Sequence, residues 1–238
     1  MFSRDETVSA SLRFYQQILR HPYLNEGALI IPPLSGWDNI NVQGKNETVL
    51  DTLHHLPYLR SNSQFCRLLV YWETIPICYC DDTGGQEIYP LPSHCVYLAC
   101  SVDREGINLI LDTIEGTITE FSHVGYHITV PHEDYEALPE AEKWKAHRTS
   151  PATELLDSWT RKFAQLVWML VPNPIGQPAT GRCYSRAVSD MEGRELILQE
   201  RLFPWHPQDD PAVGHGDETD GQRAARIKKP REKACGGR

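Results

Sequence analysis

Gly106-Ile107-Asn108-Leu109-Ile110-Leu111-Asp112, then Thr113-Ile114-Glu115-Gly116, then Thr117-Ile118-Thr119-Glu120-Phe121, is the most informative stretch of this chain. Two runs of β-favouring residues flank a short connection, and Gly116 supplies the positive φ that a tight turn needs. The stretch therefore predicts a β-hairpin from Ile107 to Phe121. In its first strand Leu109, Ile110 and Leu111 are consecutive, which predicts an interior strand covered on both faces. In its second strand Ile118 alternates with Thr117 and Thr119, which predicts one wet face.

Upstream lie more strand signals. Leu68–Trp72, Ile75–Cys80 and Cys95–Cys100 are β-rich runs, and the second ends in the turn residues Asp81-Asp82-Thr83-Gly84-Gly85. Before them the period changes. Val8, Leu12, Tyr15 and Leu19 recur at helical spacing, predicting a helix over 7–20 with Asp5 as its N-cap. Val49, Leu50, Leu53 and Leu56 predict a second helix from Glu47 to about His55, closed by Pro57.

Downstream, His127–Val130 reads as a short edge strand, and Glu133–Lys145 as a charged, partly helical segment broken at Pro139. Ser150-Pro151 reads as an N-cap and first-turn proline. The stripe Leu155, Leu156, Trp159, Phe163, Leu166, Val167, Leu170 then predicts one long helix reaching Val171-Pro172. A stripe that wide must be buried across a sheet face. A polar helix is expected over 190–201. From Pro207 onward large apolar residues are nearly absent, which predicts a disordered tail.

Helices, then strands, then helices indicate an α+β fold with a central antiparallel or mixed sheet. The expected organisation is a helical N-terminal extension packing on the core (1–60), an α+β core (61–171), a Pro/Gly loop with a polar helix (172–205) and a disordered tail (206–238).

Composition narrows the function. The 238 residues carry a formal net charge of -9, so the body is no general binder of phosphate backbones. Seven Lys/Arg and six Asp/Glu fall between His206 and Arg238, which leaves -10 on the remainder. The polar start and the lack of a long apolar run predict neither a leader nor a membrane span. The seven cysteines are odd in number and mostly lie in apolar runs, so they read as reduced core thiols of an intracellular protein. The cytoplasm is the expected compartment. The basic tail around Lys228, Lys229 and Arg231 adds a nuclear-import reading.

The hairpin, together with Thr149-Ser150-Pro151-Ala152-Thr153-Glu154-Leu155-Leu156-Asp157-Ser158-Trp159, resembles the SUKH superfamily of bacterial immunity proteins and fungal cell-wall-synthesis regulators. In that superfamily a glycine precedes an apolar strand ending in aspartate. A second strand ends in an aromatic, and a Ser/Thr-led helix follows. The likeness covers roughly residues 95–170. The chain as a whole also resembles a group of uncharacterised fungal proteins. The resemblance implies a protein-binding scaffold with no catalytic residues.

Candidate chemistry is sparse. Cys78 and Cys80 share a strand face, and with His94 and Cys95 they can be drawn as a zinc set. Structural zinc, however, favours ligand pairs on turns, and Cys-x-Cys inside an apolar strand reads as core packing. No metal or other cofactor is expected. Asp112, Glu115 and Glu120 read as solvated strand-end groups. No nucleophile elbow, phosphate loop, dinucleotide fingerprint or His-Glu-x-x-His motif is present. The acidic cluster Glu133, Asp134, Glu136 with Tyr135 and Trp144 is the candidate partner-binding surface. A non-enzymatic protein-interaction or regulatory domain is the leading expectation. The alternative is a small-molecule-binding protein or minor enzyme with a pocket between the sheet and Trp37, Trp159 or Trp168.

Overall fold

The computed structural model describes residues 2–21, 26–40, 42–60, 68–80, 89–171 and 182–185. The chain divides into two compact units, Met1–Tyr184 and Ser185–Arg238, and nearly all described residues belong to the first.

The fold is α+β, as the pattern of periods implies. The first helix, α1 (Arg4–Ile18), starts at Ser3, whose hydroxyl accepts from the Glu6 amide. The cap is therefore two residues earlier than Asp5, which instead sits in the first turn beside the positive end of the helix dipole. A two-stranded ribbon pairs β1 (Leu29–Ile30) with β2 (Tyr58–Leu59). Between them α2 (Glu47–His55) occupies its expected span, because the Asn46 side chain accepts from the Val49 amide and the chain turns extended at Leu56 before Pro57.

The central sheet has five antiparallel strands: β3 (Thr74–Pro76), β4 (Cys95–Ser101), β5 (Ile107–Asp112), β6 (Thr117–Ser122) and β7 (Thr149–Pro151). Spatial order follows chain order, with each strand beside its sequence neighbour. The β5–β6 hairpin forms where expected, turning through Gly116 at φ 72°. From Ile107 to Leu111 β5 is wholly buried.

By register, Leu109, Leu111, Ile118 and Glu120 share one face, while Asn108, Ile110, Thr119 and Phe121 share the other. The first face meets α1 and α4 (Ala152–Ala164), where Ser11, Phe14, Leu109 and Leu156 converge. Phe14 of α1 lies 5.8 Å from Trp159 and 6.1 Å from Phe163, centroid to centroid. Both Trp159 and Phe163 are fully buried. Losing either aromatic ring costs about 3–5 kcal/mol. The second face carries Cys95, Tyr97, Ile110 and Phe121, covered by Leu91 and Trp144. The sheet is thus covered on both sides, and the predicted wet face of β6 does not exist. Thr119 is buried there, its hydroxyl hydrogen-bonded to that of Thr149.

Four further expectations change. Leu68–Trp72 is no strand. A tight reversal consumes it, in which the Val70 amide donates to the Thr74 carbonyl and Glu73 adopts φ 39°. The edge position expected of His127–Val130 belongs to β7, and Ile128 contributes only a single bridge to His147. Pro151 ends β7 and caps α4 from outside the helix. That helix also stops early, at Ala164. Leu166 turns left-handed at φ 56°, the Val167 amide donates to the Lys162 carbonyl, and the Leu166 amide donates to that of Phe163. This Schellman closure redirects the apolar run into β8 (Trp168–Val171), which pairs with β9 (Arg182–Ser185). The helix expected over 190–201 and the tail lie outside the described residues.

Candidate functional site

The acidic cluster is carried on a short helix, α3 (His132–Ala137), which buries none of its residues. Glu133, Asp134 and Glu136 are exposed, while Tyr135 is half-buried. The Tyr135 ring stands edge-on to His147 at 5.7 Å, and the Lys143 ammonium lies 5.3 Å above the same ring. Lys143 also pairs with Glu140 at 3.0 Å, in the 3₁₀ segment Glu140–Ala146. α3 thus rests on the body through one aromatic ring and turns its carboxylates outward.

Trp144 does not join that surface, which corrects the expectation for this residue. It is 7% exposed and packs behind the sheet with Cys95, Tyr97, Ile110 and Phe121. The turn of the 3₁₀ segment faces its one large apolar side chain inward, where burial of an indole is most favourable.

His147, beneath Tyr135, is 2% exposed. Its two ring nitrogens each lie 3.1 Å from a carbonyl oxygen, of Lys143 and of Ser122. Burial lowers its pKa from the ordinary histidine value, against the pull of those carbonyls toward the charged ring. A neutral ring can donate to only one of them.

The candidate carboxylates separate. Glu115 is exposed, and Asp112 turns one oxygen inward along the hairpin connection, where it accepts from the amides of Ile114 and Glu115. Glu120 is no solvated group: it is 2% exposed and forms a two-point pair with Arg148, Nε to Oε2 at 2.5 Å and Nη2 to Oε1 at 2.9 Å. The sequence did carry a signal for this. Glu120 stands two residues after Ile118, so it shares the core face and requires a cation.

The drawn set of four zinc ligands does not assemble. His94 and Cys95 come together with Asp112, their ligand atoms all within 4.8 Å of one another. Cys78 and Cys80 lie apart from that cluster, near Tyr15 and Tyr58. Burial, and then the Asp112 carboxylate, push the Cys95 thiol up to about 12, which makes it a poor nucleophile.

The space between α1 and the sheet encloses about 20 Å³, lined by Phe14, Tyr15, Tyr58, Val70, Leu109 and other apolar groups. That is room for about one water. Trp159 and Trp168 lie 5.4 Å apart in contact with Tyr71 and Phe163, so their rings fill the space between helix and sheet. The Trp37 indole donates to the Leu56 carbonyl at 2.8 Å. Lys228, Lys229 and Arg231 lie outside the described residues. No helix among the described residues is long and apolar enough to cross a membrane. Comparison with protein-family models, with curated proteins and with solved structures finds no match.

Proposed function

We propose that this chain is a non-enzymatic protein-interaction or regulatory domain whose acidic helix α3 meets a basic segment of a partner protein. The observation that carries this reading is the arrangement of α3. Three carboxylates point to solvent from a helix that contributes nothing to the core beyond one half-buried ring. Such a helix is not explained by packing, and a polar helix of this kind serves a surface role. The charge of the body, -10 without the segment His206–Arg238, favours a cationic partner by long-range attraction. The likeness of the hairpin and the helix after it to SUKH-type binding scaffolds supports the same reading.

The test is affinity capture with the full chain and with Glu133→Lys/Asp134→Lys/Glu136→Lys. These positions are exposed and make no core contact, so the variant keeps its fold. The expected result is a defined partner retained by the wild type and lost by the variant, with retention weakening as salt rises. Capture that is indifferent to the triple reversal would remove α3 as the interface.

A further inference from the structure

We propose that His94, Cys95 and Asp112 bind one zinc ion, with the fourth position opening past His94 to a water. Backbone register places two of the three ligands. Cys95 opens β4 and Asp112 closes β5, and the two are direct cross-strand partners, so their side chains leave the same face. His94 would point to the opposite face if it belonged to the strand. It lies instead in the preceding turn, where the chain bends back, and its Nε2 comes within 3.7 Å of Asp112 Oδ2.

That turn is held from several sides. The Asn46 amide donates to the Ser93 carbonyl at 3.0 Å, the Cys95 amide to that of Pro92 at 2.9 Å, and the Thr113 amide and hydroxyl both to that of His94 at 2.9 Å. Asp112 is oriented too. One carboxylate oxygen accepts the amides of Ile114 and Glu115, and the other faces His94. Groups that fix a ligand's orientation in this way are the usual outer shell of a metal site.

The donor set is one imidazole nitrogen, one sulfur and one carboxylate oxygen. Zinc accepts all three, and a three-ligand set leaves its fourth position open. Tetrahedral zinc with bonds of about 2.0–2.3 Å sets its ligand atoms about 3.3–3.8 Å apart. The observed spread of up to 4.8 Å therefore closes by about 1.0–1.5 Å at most. The sulfur is fixed, since Cys95 is fully buried, while the His94 and Asp112 side chains keep 30% and 16% exposure and can supply that movement. On binding, the Cys95 S–H bond breaks, sulfur keeps the electron pair and bonds zinc, and the proton leaves to solvent.

The experiment uses the purified full chain, stripped with a chelator and titrated with zinc by calorimetry and with cobalt(II) by absorption. The expected result is one ion per chain and a sulfur-to-cobalt charge-transfer band. Asp112→Asn keeps an oxygen for the Ile114 and Glu115 amides but removes the charge. It and His94→Ala should each weaken zinc binding about tenfold or more. Cys95→Ala should abolish the cobalt band, and Cys100→Ala, which alters another cysteine of β4, should keep it. A chain that takes up no stoichiometric ion carries only a hydrogen-bonded trio, and the proposal falls. It falls equally if the cobalt band survives in Cys95→Ala.

Discussion

Replacing Arg148 by Met isolates a fully buried carboxylate of the sheet. Glu120 is 2% exposed and both of its oxygens are engaged by the guanidinium, at 2.5 Å and 2.9 Å. Its backbone amide also donates to the Arg148 carbonyl at 2.9 Å, a bond the substitution leaves in place. What changes is therefore the charge pairing. Removing one partner of a buried pair costs about 3–5 kcal/mol, because the remaining charge is stranded in low dielectric. The Arg148 side chain keeps 32% exposure, so water can reach the vacated place and the cost should lie at the lower end, about 3 kcal/mol. For a chain of this size that is a fall in Tm of about 6–12 °C. Glu120→Gln/Arg148→Met should recover most of the loss, since no charge remains to strand. Chemical denaturation of the wild type, the two single variants and the double variant closes the cycle. A loss below about 1 kcal/mol for Arg148→Met, or a double variant worse than Arg148→Met alone, would refute the reasoning.

Two further outcomes follow from close packing and from buried imidazoles. A Cβ on Gly106 would stand 2.3 Å from the Glu73 carbonyl oxygen and 2.7 Å from the Ser101 Cβ, so Gly106→Ala must push the Tyr71–Thr74 reversal off the sheet. It should lower stability by about 2–3 kcal/mol, read as a reduced urea midpoint, and an unchanged midpoint would show the reversal to be compliant. Burial lowers the pKa of His21 and of His147 below the ordinary value of 6.5, so in the folded state both stay neutral where the unfolded chain takes up protons. Stability from these groups is present above that value and is lost as pH falls through it, so the urea midpoint should drop between pH values of about 7.5 and 5.5. The drop should shrink in His147→Gln, and a flat profile over that window would contradict the burial of both rings.

The parts of this fold visible in the sequence are those governed by local rules. The consecutive Leu109, Ile110 and Leu111 announce a strand covered on both sides, and the Val49, Leu50, Leu53, Leu56 stripe with Pro57 marks α2. What stayed hidden depends on meetings across the chain. Thr119 looks solvent-facing in isolation, because the segment that covers it lies beyond a long connection. The apolar stripe after Phe163 reads as continued helix, since a leucine in left-handed conformation gives no signal of the kind a glycine gives. The same holds for the two sites. The carboxylates of α3 are legible from charge alone, but the burial of Trp144 is not. Asp112 joins His94 and Cys95 only through strand register, which no spacing rule in one segment reveals.

The pairing of α1 with α4 has a consequence for the order of assembly. Arg13 and Asp157 meet at 2.8 Å across 144 residues of chain, whereas the strands of the central sheet pair with their immediate successors. Closing so long a loop has a higher entropic cost than forming the sheet's own hairpins. On the ribosome α1 emerges before α4, which follows roughly 7–30 s later at ordinary elongation rates. Through that interval the apolar side of α1, with Phe14 and Ile18, has no α4 to cover it. An element made early in this unit thus completes its packing only after α4 has been made, and its apolar side is most exposed during synthesis.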